Sequence, residues 1–134
     1  MVKYYLDTSI WLDHYEKRGR NGEIALALIS KILNENEIII YSDFHINELK
    51  SLSYKLNEIR GIVRVAKPNN IEFAHTNREQ LEEAKRIKKY IKIPIKDIIH
   101  SIIARDNEAI LVYTDKHFEK LKYLIDIKKP IELI

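Results

Sequence analysis

The chain has 134 residues, of which 46% are hydrophobic and 32% charged, with a net charge of +3; this suits one hydrophobic core and excludes a disordered chain. Cysteine is absent, which excludes disulfide staples, Cys-ligated zinc, iron–sulfur clusters and thiol nucleophiles. The mildly basic balance permits nucleic-acid binding without demanding it, no apolar run is long enough to span a bilayer, and the opening MVKYYLD lacks a signal-peptide pattern, so a single domain over residues 1–134, soluble and cytoplasmic, is the expectation.

Val2–Leu6 reads as a strand and Ser9–Lys17 as a short helix, with a loop over Arg18–Gly22. Ala25, Leu28, Ile29, Ile32 and Leu33 then fall on one stripe of a helix over Glu23–Leu33, which Asn21 can cap. The apolar run Glu37–Tyr41 predicts a buried strand. Ser42 or Asp43 caps a helix whose apolar line is Leu49, Leu52, Leu56 and Ile59. A short strand is placed near Ile71–Phe73 within the less regular stretch Val63–Ala74. Thr76 or Asn77 caps a helix running to about Tyr90, with Leu81, Ala84, Ile87 and Ile91 inward. Pro94 breaks the chain before a helix over Asp97–Arg105, which Ala109–Tyr113 follows as a strand. His117–Tyr123 reads as a helical turn and Pro130–Leu133 as a last strand. Strands alternating with helices give an α/β domain with a mainly parallel sheet, whose ligand sites lie outside the carboxyl ends of the strands.

Acidic residues fall at just such places. Asp7 follows the first strand and Asp115 follows AILVY, and each alone reads as a helix cap. Asp97 opens a helix, which is routine for aspartate. Glu48 is harder to assign to solvent, because Phe44 and Leu52 stand at i−4 and i+4 and no Lys or Arg stands at i±3. A glutamate on an apolar face needs an ion-pair partner or a metal, and here the ligand role is favoured. Together the four acids suggest one pocket. Clustered carboxylates repel one another and stay ionised only around a cation. An all-oxygen set favours Mg²⁺ or Mn²⁺, and such sites hydrolyse phosphodiesters by orienting water and stabilising the leaving oxygen.

Three segments, YYLDTSIWLD, YSDFHINELKSL and IPIKDIIHSIIARDNEAILVYTDKHFEKL, resemble in order and spacing the PIN-domain family, and within it the VapC-like ribonucleases. The resemblance spans nearly the whole chain and implies a three-layer α/β/α fold with a mainly parallel central sheet. It implies that Asp7, Glu48, Asp97 and Asp115 are the acidic metal-site and catalytic residues, with Mg²⁺ or Mn²⁺ as cofactor. Thr8 matches the hydroxyl position beside the first Asp, and His117 matches the Asp-x-His-Phe segment. The chain departs from the family where Thr or Ser often stands two residues before the last acid; here that residue is Tyr113, with Thr114 next to Asp115. The implied activity is that of an endoribonuclease toxin acting on RNA, forming a homodimer and silenced by a small antitoxin protein.

Other features have plainer readings. Asp13 is expected in solvent, Asp43 as a cap and Asp106 in a turn. No histidine has a mate at i+4, which argues against a His-based zinc site. His100 and Ser101 share a helical face with Asp97, as pocket-lining or as packed polar residues. Lys85, Arg86, Lys88, Lys89, Lys92 and Lys96 form a solvated face, or alternatively a phosphate-tracking patch. The rival to a nuclease is a non-catalytic RNA- or protein-binding module on the same fold. A phosphoryl-transfer domain fits less well, because Ser9 stands where a second Asp is needed and no Gly-rich phosphate loop is present.

Overall fold

Five short strands form one sheet in the computed structural model, which describes residues 1–65 and 68–134. They are β1 (Lys3–Leu6), β2 (Ile38–Ser42), β3 (Ile71–Ala74), β4 (Ile110–Val112) and β5 (Ile127–Lys128), in the order β3-β2-β1-β4-β5, and every pairing is parallel. The helices are α1 (Thr8–Tyr15), α2 (Gly19–Asn34), α3 (Asp43–Ser51), α4 (Leu56–Val63), α5 (Arg78–Lys88), α6 (Ile95–Asp106) and α7 (Pro130–Leu133). They cover both faces, which gives the three-layer α/β/α arrangement.

The period of two along the strands builds two cores from one sheet. On one side Tyr5, Ile38, Ile40 and Leu111 pack with Ala84 of α5 and with Ile98, Ile99, Ile102 and Ile103 of α6. On the other, Leu6, Ile39 and Val112 meet Trp11 of α1, Leu28 and Ile32 of α2, Leu49 of α3 and Ile59 and Ile62 of α4. A sheet buried on both faces accounts for the unbroken apolar run Ile38–Ile40.

Five expectations need correction. Most of the loop assigned to Arg18–Gly22 is the first turn of α2, which begins at Gly19. Gly22 is there because α1 and α2 nearly touch: a Cβ on it would stand 2.8 Å from the Asp13 carbonyl oxygen. The helix drawn through Leu49, Leu52, Leu56 and Ile59 is two helices. Ser53 adopts a left-handed conformation (φ 72°), the Tyr54 N–H closes on the Leu49 carbonyl, and Leu52 and Leu56 end up 55% exposed. The last strand lies at Ile127–Lys128, and Pro130–Leu133 is a helical turn with proline in its first turn. Asp13 is buried and paired with Arg18 at 3.6 Å. Asp43 is not the cap of α3, a role Ser42 takes; it accepts hydrogen bonds from the Thr76 N–H and hydroxyl at 2.9 and 2.5 Å. Within the irregular stretch before β3, residues 66 and 67 lie outside the described residues.

Strand order sets the position of the site. The chain runs from β1 through β2 to β3 on one side, and its next strand, β4, pairs with β1 on the other. The crevice at the carboxyl ends of β1 and β4 is therefore the switch point, where parallel sheets place their ligands.

Candidate functional site

Asp7 leaves β1 at this crevice. Its backbone N–H donates to the Val112 carbonyl of β4, and its side chain caps α1 by accepting from the Ile10 N–H at 3.2 Å. The same carboxylate accepts from Ser9 Oγ at 2.5 Å and from the Thr114 N–H at 3.3 Å. The cap reading of Asp7 and its place in a pocket thus hold together. Thr114 Oγ1 lies 2.9 Å from Ser9 Oγ, while Tyr113 packs inward against Phe118. The hydroxyl that touches the Asp7 network is therefore that of Thr114, one residue later than the family pattern suggests.

Asp97 sits in the first turn of α6, buried to 6% exposure, behind the helix start at Ile95. Glu48 comes from the second turn of α3. Asp115 follows β4, stays exposed and caps a 3-10 turn over Lys116–Leu121. Asp7, Glu48, Asp97 and Asp115 line one pocket of about 110 Å³ together with Thr8, Ser9, Lys96, His100 and Phe118. Four acids separated by up to 108 positions meet there. Thr8, Ser101 and His117 are the sequence candidates for substrate contact or support of the acids, and of the last two His117 approaches them: Nδ1 is 3.4 Å from Asp97 Oδ2 and 3.1 Å from Asp115 Oδ1. Ser101 is fully buried and donates to the Asp97 carbonyl at 2.9 Å, so it braces the helix and does not line the pocket.

Glu48 has partners that its own helix could not reveal. Thr8 Oγ1 donates to its Oε1 at 2.8 Å, His100 Nε2 donates to the same oxygen, and Lys96 Nζ lies 3.9 Å from Oε2. Burial alone would raise the Glu48 carboxyl; the His100 hydrogen bond and charge, then Thr8 and Lys96, outweigh it and hold the group below its ordinary range. Behind His100 runs a buried polar chain. Tyr5 OH lies 2.6 Å from His100 Nδ1 and 2.8 Å from Ser42 Oγ. His45 stacks on Tyr5, donates from Nε2 to the Leu6 carbonyl and accepts the Ser42 N–H at Nδ1. Burial, reinforced by His100, keeps His45 well below the usual histidine range.

The other two buried acids are in the opposite condition. Burial raises Asp7 despite its hydrogen bonds, and burial followed by the Asp115 charge raises Asp97. Asp97 Oδ2 is buried and, among the described residues, has no hydrogen-bond partner. An ionised oxygen in that position is costly unless something positive faces it. This donor set, acidic oxygens with one unpartnered lone-pair face toward a small polar cavity, fits a hard divalent cation. Among the described residues, the ligand atoms of Asp97, Asp115 and His117 converge within 4.8 Å of one another. The sequence left His100 undecided and Lys96 within a run read as a solvated face or a phosphate-tracking patch. The signal for His100 was its position one turn after Asp97.

The fold is shared with solved toxin–antitoxin proteins. VapBC2 from Rickettsia felis, bound to a promoter DNA fragment, aligns with TM-score 0.72 and 15% identity over 96% of this chain and 98% of that one. VapC20 from Mycobacterium tuberculosis, a sarcin-ricin loop cleaving toxin, gives 0.68 and 13% over 87% and 93%. FitAcB from Neisseria gonorrhoeae gives 0.66 and 15% over 97% and 99%. No curated protein matches by sequence. Residues 4–123 match the sequence model of the PIN domain, a span that runs from β1 past Asp115 and takes in all four acids, and the chain accordingly belongs to the PIN-domain family.

Proposed function

We propose that the protein is a divalent-metal-dependent endoribonuclease, with Asp7, Glu48, Asp97 and Asp115 as its metal-site and catalytic acids. The observation that carries this reading is the meeting of four carboxylates at the switch point, one of them with a buried oxygen left unpartnered. Asp97 and Asp115 would hold the ion, Mg²⁺ or Mn²⁺, with Asp7 and Glu48 completing the charge around it. When bound, the cation supplies activation of a water and compensation of charge at the phosphate. The protein's own groups do the positioning. Ser9 and the Thr114 N–H fix the Asp7 carboxylate, and Thr8 and His100 fix Glu48. Lys96, at the pocket edge, is placed to meet a phosphate oxygen.

The biological role we infer is that of a toxin held in check by a small antitoxin, acting in the cytoplasm as a homodimer. It is supported by likeness of fold to proteins solved as VapBC and FitAcB. Among the described residues no helix is long and apolar enough to cross a membrane. The test is incubation of purified protein with structured RNAs in Mg²⁺ or Mn²⁺, then in EDTA, and again with Asp97→Asn. Cleavage that needs both the ion and Asp97 is the expected result. Cleavage that survives the substitution assigns the activity to another site or a contaminant, and RNA retention without cleavage assigns the fold to a binding module.

A further inference from the structure

We propose that His117 is itself a ligand of the cation held by Asp97 and Asp115, and that its nitrogen turns this site toward borderline transition ions such as Co²⁺ and Ni²⁺ and away from Mg²⁺. The inference rests on the cation reading above and adds a donor that an all-acid site lacks. Three observations converge. The ring Nδ1 stands 3.1 Å from Asp115 Oδ1 and 3.4 Å from Asp97 Oδ2. Both are ion-pair distances, and Asp97 Oδ2 is buried with no hydrogen-bond partner among the described residues. These spacings also suit donor atoms that would share one ion.

The backbone prepares the arrangement. Asp115 accepts the His117 N–H at 2.9 Å, which folds the 3-10 turn around its carboxylate and brings the imidazole over Asp97. Phe118, the next residue, is 2% exposed and anchors the turn in the core. His117 is therefore held at the mouth of the pocket by its neighbours, although its own side chain is 47% exposed.

The chemical consequence follows from donor type. Mg²⁺ takes oxygen ligands and gains little from imidazole, whereas affinity for nitrogen donors climbs from Mn²⁺ through Co²⁺ to Ni²⁺. An imidazole on this ion separates the metals that an all-carboxylate set would treat more alike.

The experiment measures binding of Co²⁺ and of Mg²⁺ to the full metal-free chain by calorimetry, for the wild type and His117→Ala. The expected result is Co²⁺ affinity falling about tenfold or more while Mg²⁺ affinity changes by less than about twofold. Equal loss for both ions, or no change in either, overturns the proposal. A second measurement needs no variant: Co²⁺ added to the wild-type chain gives the His117 ring protons the contact shifts of a coordinated imidazole, and a ring showing only the through-space shifts of its neighbours at saturation overturns it. RNA cleavage is scored separately. A chain that shows the His117-dependent metal preference but cuts no RNA refutes the nuclease reading alone. A chain that cuts RNA with unchanged selectivity in His117→Ala refutes this inference alone.

Discussion

Replacing Asp97 with Asn should stabilise the metal-free protein and destabilise it, relative to wild type, once a divalent ion is added. In the metal-free fold Asp97 is buried, its Oδ2 has no hydrogen-bond partner among the described residues, and a ligand oxygen of Asp115 lies within 4.8 Å. Two unit charges at that spacing repel by roughly 1 kcal/mol in water and 3–4 kcal/mol at an effective dielectric of 20. Because Asp115 is exposed, the lower half of that range applies, about 1–2 kcal/mol. Asparagine gives up the favourable charge in the first turn of α6, worth about 0.3–1 kcal/mol. The net gain is about 1 kcal/mol, or roughly 3–4 °C in Tm for a chain of this length. An ion at a hundred times its Kd would raise wild-type stability by about 2.7 kcal/mol, a gain the variant largely forgoes. The order of the two melting curves should therefore invert between EDTA and saturating Mn²⁺. The pH dependence has a definite sign. The folded-state value of Asp97 is raised, so its ionisation costs stability, and the asparagine advantage is present at neutral pH and fades as acid protonates Asp97. Thermal unfolding followed by circular dichroism decides the matter. A variant less stable than wild type in EDTA, or curves that keep their order in Mn²⁺, would refute the reasoning.

Three further outcomes follow from the packing. Gly22→Ala drives a Cβ to 2.8 Å from the Asp13 carbonyl and 2.9 Å from the Lys17 carbonyl carbon, both backbone, and should cost about 1–3 kcal/mol in urea denaturation; an unchanged midpoint would mean that α1 and α2 separate freely. Tyr5→Phe leaves His100 Nδ1 without its hydrogen-bond partner in a sealed core and should cost about 1–3 kcal/mol, which chemical denaturation would register as a shifted midpoint at constant slope. Arg105 grips Glu83 through two 2.7 Å bonds and holds that carboxyl below its ordinary range. The pair should contribute about 1 kcal/mol in a double-mutant cycle. That coupling is present above the usual glutamate range and is lost as pH falls through the lowered folded value; a cycle giving the same coupling at pH 7 and pH 2 would contradict the assignment.

The three central strands were legible because their residues are apolar on both faces and little else in the chain is. β5 was not, since two residues, Ile127 and Lys128, make no periodic signal. The shape of Pro130–Leu133 was readable from proline, which opens helices readily and enters strands poorly, but apolar Ile131 and Leu133 mimicked alternation. The break at Ser53 carried no mark, because neither glycine nor proline stands there while Leu49, Leu52, Leu56 and Ile59 keep helical spacing across it. In the site, the acids were visible as residues at strand ends and helix starts. Their partners were not: the groups that hold Glu48 come from α1 and α6, 40 to 52 positions away, and no local pattern encodes such a contact. The absence of histidine pairs at i+4 argued only against a His-based zinc site, a test suited to sites built on one helix; His117 stood out through the Asp-x-His-Phe segment instead.

Strand β1 leaves no slack in the numbering of the protein. Tyr5 enters one core, Leu6 the other, and Asp7 the crevice, in three consecutive residues. Inserting or deleting a single amino acid before Asp7 would invert the strand, presenting leucine to the histidines and a phenol to the tryptophan side, and would carry the carboxylate away from Thr114. Substitutions can be absorbed one at a time along this segment, but a change of length there would dismantle interior and pocket in a single event.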